Sequence, residues 1–291
     1  MVYPILFLFG LAIGSFLNVL ALRYDGASSV FDPRVIGGRS HCPHCRKTLR
    51  WFELVPVLSW VVQRGHCRSC GAKIGIQYPL VELLSGVIFA AVPWTLAPIF
   101  AAAAPAGAAL TGWYALSAFW IAAFEVLLLL AYVDLRLQVV PDELVVMLAV
   151  IAIFESIFAA ASLGPAQWSF LGPYAGFFGL AGSFWTSRIA GAVFGAGFFW
   201  LLVLATKGKG MGMGDVAIGA PLGFLFGWPD ILPVYGAAFI VGALVGIALV
   251  LRARKTMKSA VPFAPFLAAG AALVFFFALP ASAWYFRIIG L

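Results

Sequence analysis

GWYALSAFWIAAFEVLLLLAYVDLRLQVVPDEL (residues 112–144) decides the architecture. From 112 to 133 the only charge is Glu125, and the run matches the roughly 20 apolar residues that a helix needs to cross a bilayer. Asp134, Arg136, Asp142 and Glu143 then crowd into a short polar stretch, and a second apolar run starts at Leu144. The alternation recurs along all 291 residues, of which 64% are hydrophobic and 10% charged. Soluble domains rarely exceed half apolar residues. In lipid each backbone group must be paired within its own segment or in a closed barrel, and no period-two alternation marks barrel strands. The expected fold is therefore an all-α polytopic membrane protein with about eight transmembrane helices. The spans are expected near 3–22, 79–98, 112–133, 144–162, 189–206, 214–229, 231–251 and 263–283. The segments 99–111 and 163–188 fit a surface loop, a re-entrant piece or an extra half-span. The first run has no basic start and no clear small-residue cleavage site, so it reads as a retained helix.

Charge placement sets an expected orientation. Loops 23–78, 134–143, 207–213 and 252–262 fall on one side of an eight-span bundle and hold 16 of the 18 Lys and Arg residues. Positive charge marks the cytoplasmic side. The net charge of +7 reads first as a topology signal and second as attraction to anionic lipid. Nothing suggests a basic groove for nucleic acid.

The polar segment 23–78 holds all four cysteines, in HCPHC (Cys42, Cys45) and HCRSC (Cys67, Cys70). Paired C-x-x-C motifs at this spacing suit one tetrahedral zinc ion, and four thiolates leave no open coordination position, so the metal reads as structural. A reducing compartment disfavours disulfides. A redox C-x-x-C is the rival reading, and His41, His44 and His66 read as solvated knuckle residues.

Acids within membrane spans are costly and usually functional. Asp134 closes the third span and Asp215 opens the sixth, at similar depth on the same expected side. Two facing carboxylates can share one proton, so that one activates water while the other hydrogen-bonds a scissile carbonyl. Gly210, Gly212 and Gly214 strip side chains from the approach to Asp215 and permit a hinge. An N-cap is the plainer reading of Asp215. Asp142 reads as a helix-start acid, Glu125 and Glu155 as interhelical hydrogen-bonding groups, and Asp230 as a turn residue.

Seven segments in this order resemble the bacterial type IV prepilin peptidases (leader peptidase/N-methyltransferases). They are GSFLNVLALR (14–23), the two cysteine knuckles, WFELVPVLSW (51–60), YPLVELLSG (78–86), VDLRLQVVPDEL (133–144), GMGMGD (210–215) and PFAPFLAAG (262–270). The resemblance implies a membrane aspartic protease of the G-x-G-D type in the bacterial inner membrane. Its implied catalytic acids are Asp134 and Asp215, and its implied zinc ligands are Cys42, Cys45, Cys67 and Cys70. Its implied substrates are prepilins or the pseudopilins of type II secretion, cut at the cytoplasmic face. N-methylation of the new terminus with S-adenosylmethionine is implied as well, with Asn18, Glu53 and Glu82 as candidate cofactor contacts. The implied division is a first helix over 1–22, a cytoplasmic zinc-ribbon-like domain associated with methyl transfer over 23–78, and the peptidase over 79–291. The chain departs from the family's usual pattern at Tyr24-Asp25 and Ile76-Gln77. The alternatives are a peptidase without methylation, a proton-coupled transporter, for which no internal repeat is visible, and a zinc-loop scaffold without chemistry.

Overall fold

The computed structural model describes residues 2–103, 109–163, 169–172, 175, 183–252 and 261–288. Much of 163–188, the middle of 99–111 and most of the loop 252–262 lie outside the described residues. The described residues fold into helices without a named strand, and the chain divides into two compact units, 1–96 and 97–291.

The first unit contains α1 (Val2–Arg23), two short helices α2 (Pro33–Ile36) and α3 (Leu58–Val62), and most of α4 (Gln77–Ala103). Helices α1 and α4 cross closely. A Cβ on Gly14 would lie 2.7 Å from the Glu82 Cα, and the Ser85 hydroxyl donates to the Gly10 carbonyl at 2.6 Å. Small residues four apart let membrane helices meet backbone to backbone, which replaces the missing hydrophobic drive in lipid. Asn18 continues the same stripe one turn on. At the end of α1, Arg23 donates to the carbonyls of Val35, Gly37, Gly38 and Arg39, so one guanidinium gathers the following loop.

The second unit contains α5 (Ala109–Leu137), α6 (Asp142–Leu163), α7 (Phe184–Thr206), α8 (Met213–Phe226), α9 (Ile231–Leu251) and α10 (Ala264–Ile288). Helix α5 packs on α6 and α10, α6 on α8, α8 on α7, and α9 on α10. Its core is aromatic: Trp120 of α5 meets Phe226 of α8 and Phe275 of α10 at ring-centroid distances of 5.2 and 4.6 Å. The tightest crossing joins α7 to α8. A Cβ on Gly223 would sit 2.1 Å from the Gly191 carbonyl oxygen, and one on Gly195 would sit 2.2 Å from that of Gly219. The Tyr235 hydroxyl of α9 donates into this crossing, 3.1 and 3.2 Å from the carbonyls of Gly195 and Gly219.

Among the described residues, seven helices are long and apolar enough to cross a membrane. The run expected over 214–229 forms α8, which has only 14 residues. That is about 21 Å of helix, against a hydrocarbon core of about 30 Å. It stops because Gly227 adopts a left-handed φ of 76° and Pro229 follows. With α8 as the shorter eighth element, this is a multi-pass, all-α membrane protein.

Two further acids, Glu155 and Asp230, prove to be buried anchors. Glu155 of α6 pairs with Arg188 of α7 at 3.3 Å and accepts from the Trp120 indole at 3.1 Å. Arg188 also donates to the Phe224 carbonyl of α8 at 3.2 Å. Glu155 thus makes the interhelical bond expected of it, with a buried cation at the end of a segment, 163–188, for which the sequence leaves several placements open. Asp230 sits in the turn before α9 and accepts from the Ser169 hydroxyl and the Phe170 N–H at 2.6 and 2.8 Å.

Candidate functional site

Asp134 lies in the last turn of α5 and Asp215 in the first turn of α8. Farther along the same helices, Trp120 touches Phe226. Asp134 is 14 residues beyond Trp120 and Asp215 is 11 residues before Phe226, or about 21 and 17 Å of helix rise. The helices run antiparallel, so both acids arrive at the same end. There the charge of Asp134 acts on Asp215. Asp134 is buried, and its Oδ2 accepts from the Ala264 N–H at 3.0 Å, which pins it to the start of α10. Asp215 is half-buried, with its own N–H spent on the Gly212 carbonyl.

The glycines before Asp215 differ in their surroundings. Gly212 occupies the N-cap position of α8, so Asp215 itself is not the cap. A Cβ on Gly214 would lie 2.7 Å from the Val140 side chain, which comes from the loop between α5 and α6. One on Gly210 would meet Thr206, while Gly212 faces open space apart from the Gly214 N at 3.9 Å. None of the three needs a left-handed backbone. The reversal out of α7 is made earlier, by Lys207 at φ 52° and Gly208 at φ 73°.

The cysteines come together in the first unit. The two motifs fold as matching knuckles, each closed by one antiparallel bridge, His41 to Thr48 and His66 to Lys73. Each turns through a left-handed residue four positions after its bridging histidine's following cysteine, Arg46 at φ 56° and Gly71 at φ 68°. The four Sγ atoms lie within 4.8 Å of one another, with Cys42 and Cys70 at 3.9 Å. Tetrahedral bonds of about 2.3 Å place sulfurs about 3.8 Å apart. The N–H groups of Cys70 and Ser69 lower the Cys67 thiol to about 7, so a thiolate forms readily. The cluster can hold a metal ion that prefers four thiolates. His41 and His66 turn Nδ1 toward the carbonyls of Arg39 and Arg64 instead.

Beside the knuckles, the same unit encloses a cavity of about 280 Å³. Its wall includes Asn18, Arg23, Glu53, Trp60, Tyr78 and Glu82, so the three cofactor candidates of the sequence share one space. Glu53 also accepts from the Arg50 N–H at 2.8 Å. Glu82 accepts from the Val57 N–H at 2.7 Å.

Comparison with known proteins bears on the same two regions. The signature described as "Bacterial Peptidase A24 N-terminal domain" matches residues 8–96, and that of the "Type IV leader peptidase family" matches residues 121–247. A protein of Aeromonas hydrophila named prepilin leader peptidase/N-methyltransferase is 32% identical, covering 97% of this chain and 93% of its own. One of the same name from Bacillus subtilis (strain 168) is 32% identical over 98% of each chain. The chain belongs to the type IV leader peptidase family. A third relative of that name, from Burkholderia pseudomallei (strain 1026b), is 33% identical over 93% of this chain and 84% of its own. No solved structure matches.

Both acids fall inside the stretch matched to the leader peptidase family, and all four cysteines fall inside the N-terminal match. Sequence reasoning missed the α10 N-terminus beside Asp134, the Val140 contact and Arg188. Only the PFAP motif at 262–265 signalled the first of these, and it carries no ionisable group to draw attention.

Proposed function

We propose that this chain is a membrane aspartic endopeptidase that removes the leader from type IV prepilins or type II secretion pseudopilins and then N-methylates the new terminus with S-adenosylmethionine. The observation that supports the peptidase reading is that Asp134 in the last turn of α5 and Asp215 in the first turn of α8 stand close enough for the charge of one to act on the other. Two carboxylates in reach of each other do not both ionise cheaply, so one serves as base on water and the other donates to the scissile carbonyl. The peptidase machinery is assigned to 79–291, with Gly210, Gly212 and Gly214 forming the approach. The first helix, 1–22, and the zinc-ribbon-like domain, 23–78, are assigned to methyl transfer, where zinc at Cys42, Cys45, Cys67 and Cys70 holds the fold. The donor is assigned to the cavity near Asn18, Glu53 and Glu82. The excess of Lys and Arg supports a cytoplasmic position for the knuckles and the acid pair in a bacterial inner membrane. A prepilin suits such a site, because its basic leader and following apolar helix place the scissile junction at the membrane face.

The test is purified protein with a prepilin and labelled S-adenosylmethionine. Asp134→Asn and Asp215→Asn are each expected to lower leader cleavage by at least about 10³-fold while the protein stays folded, the scale on which catalytic residues contribute. Cleavage at the parent rate in either variant refutes the pair. Cleavage without transferred label in the parent leaves a peptidase alone.

A further inference from the structure

We propose that Asn18 and Glu82 receive the amine that is methylated, with the Asn18 Oδ1 accepting one N–H and the Glu82 carboxylate removing the proton. The inference rests on the reading of the first unit as a methyltransferase and revises it at two residues: Asn18 and Glu82 pass from the donor to the acceptor amine, and the donor keeps the rest of the cavity, with Glu53.

Asn18 is the first observation. It is 2% exposed and lines the cavity. Its Nδ2 donates to the carbonyls of Gly14 and Tyr78 at 3.2 and 3.1 Å. Those two acceptors fix which end of the amide is nitrogen, because the flipped amide would set oxygen against two carbonyls. The remaining polar atom, Oδ1, is buried and has no hydrogen-bond partner among the described residues. Buried polar atoms are nearly always paired, so an orphaned acceptor on a cavity wall calls for a donor from whatever fills the cavity.

Glu82 is the second. It lies on α4 facing the Gly14 turn of α1, one turn from Asn18, and lines the same cavity. One oxygen accepts the Val57 N–H at 2.7 Å. An ionised carboxylate has about four acceptor positions, so this bond orients it and leaves capacity for a further partner. The Val57 N–H comes from a β-branched residue at φ 60°, a conformation such residues avoid and that recurs where a site is held under strain. Arg23, His41, Cys42, Glu53, Cys67 and Tyr78 are the other titratable side chains on the wall.

An acceptor that lacks a donor, beside a carboxylate with acceptor capacity to spare, suits a primary ammonium. Methyl transfer requires that group to become neutral. Glu82 takes one proton from the ammonium, and the freed lone pair forms the N–C bond to the methyl carbon. The S–C bond of the sulfonium donor breaks as its electron pair returns to sulfur. The product is a secondary ammonium and a neutral thioether, with the proton on Glu82 passing to solvent. A primary ammonium also occurs on the donor itself, so the test separates the two sources.

Full-length protein is assayed for leader cleavage, for label transfer against pH, and for calorimetric binding of S-adenosylhomocysteine. Glu82→Gln keeps an oxygen for the Val57 N–H but cannot take a proton. Transfer is expected to fall about 10²–10⁴-fold, the usual contribution of general base catalysis, with cleavage and S-adenosylhomocysteine binding within about threefold of the parent. The residual rate should climb with pH as hydroxide replaces the carboxylate. Asn18→Ala is expected to raise KM for the cleaved pilin and leave S-adenosylhomocysteine binding in place. Parent-like transfer in Glu82→Gln overturns the proposal. Loss of S-adenosylhomocysteine binding in step with transfer also overturns it, since the acceptors then hold the donor. If Glu82→Gln does not fold, the parent's own profile decides, and a rate proportional to hydroxide throughout refutes a protein base. A parent that cleaves but never transfers label sinks the methyltransferase reading instead.

Discussion

Replacing Gly223 by alanine tests whether the α7–α8 crossing sets the position of Asp215. The added Cβ would lie 2.1 Å from the Gly191 carbonyl oxygen and 2.7 Å from its carbon. Both are backbone atoms and no rotamer change can clear them. Restoring even a tight 3.4 Å contact requires α8 to retreat from α7 by about 1.3 Å. Overpacking of this kind costs about 1–3 kcal/mol, more than the gain of up to about 1 kcal/mol that alanine brings to a helix over glycine. Asp215 lies eight residues earlier, about 12 Å along the same helix, and rides with it. A misplacement of about 1 Å in a catalytic group costs on the order of 10²-fold in rate. Leader cleavage by Gly223→Ala should therefore fall by about that factor, while methyl transfer to a pre-cleaved pilin, assigned to the first unit, stays within about twofold. The melting temperature in detergent should drop by about 2–4 °C for each kcal/mol lost. Gly197→Ala, on α7, is the control, because nothing lies within 4 Å of its Cβ position. Parent-like cleavage and stability in Gly223→Ala would refute the reasoning. So would equal damage from Gly197→Ala.

Three further outcomes are expected. Cys67→Ser should lose bound metal by elemental analysis and most methyl transfer, with leader cleavage retained. In the parent, metal affinity should weaken steadily as pH falls, because protons compete with the metal for all four thiolates. Glu155→Ala strands Arg188 where its side chain is 4% exposed, and leaving a buried charge unpaired costs about 3–5 kcal/mol. Replacing both residues by methionine should recover much of that loss in thermal denaturation. Arg23→Lys keeps the charge but cannot span the carbonyls of Val35, Gly37, Gly38 and Arg39, so proteolysis within 24–41 should quicken.

Helix position was legible because apolar run length is a one-dimensional quantity. The expected 231–251 coincides with α9, and 3–22 and 144–162 fall within a residue or two of α1 and α6. The knuckles were legible for a similar reason: ligand spacing reports a local turn. Asp134 and Asp215 could be paired on paper because both sit where an apolar run meets polar sequence, at ends that an eight-run count puts on one side. The length of α8 was not legible, since apolar sequence continues through Phe226 to Trp228 and only the backbone at Gly227 ends the helix.

What the sequence determined by itself is membership of the bilayer, the order of the helices and the residue types able to bind metal or move protons, because each depends on composition and spacing along one chain. Tertiary structure decided which of those residues meet. It set Asp134 against the Ala264 N–H, gave Glu155 its cation and left the Asn18 oxygen without a donor among the described residues. Those outcomes depend on helix rotation and on approaches of a few ångströms. A hydropathy pattern is nearly unchanged by turning a helix about its axis in lipid, so only packing could settle them.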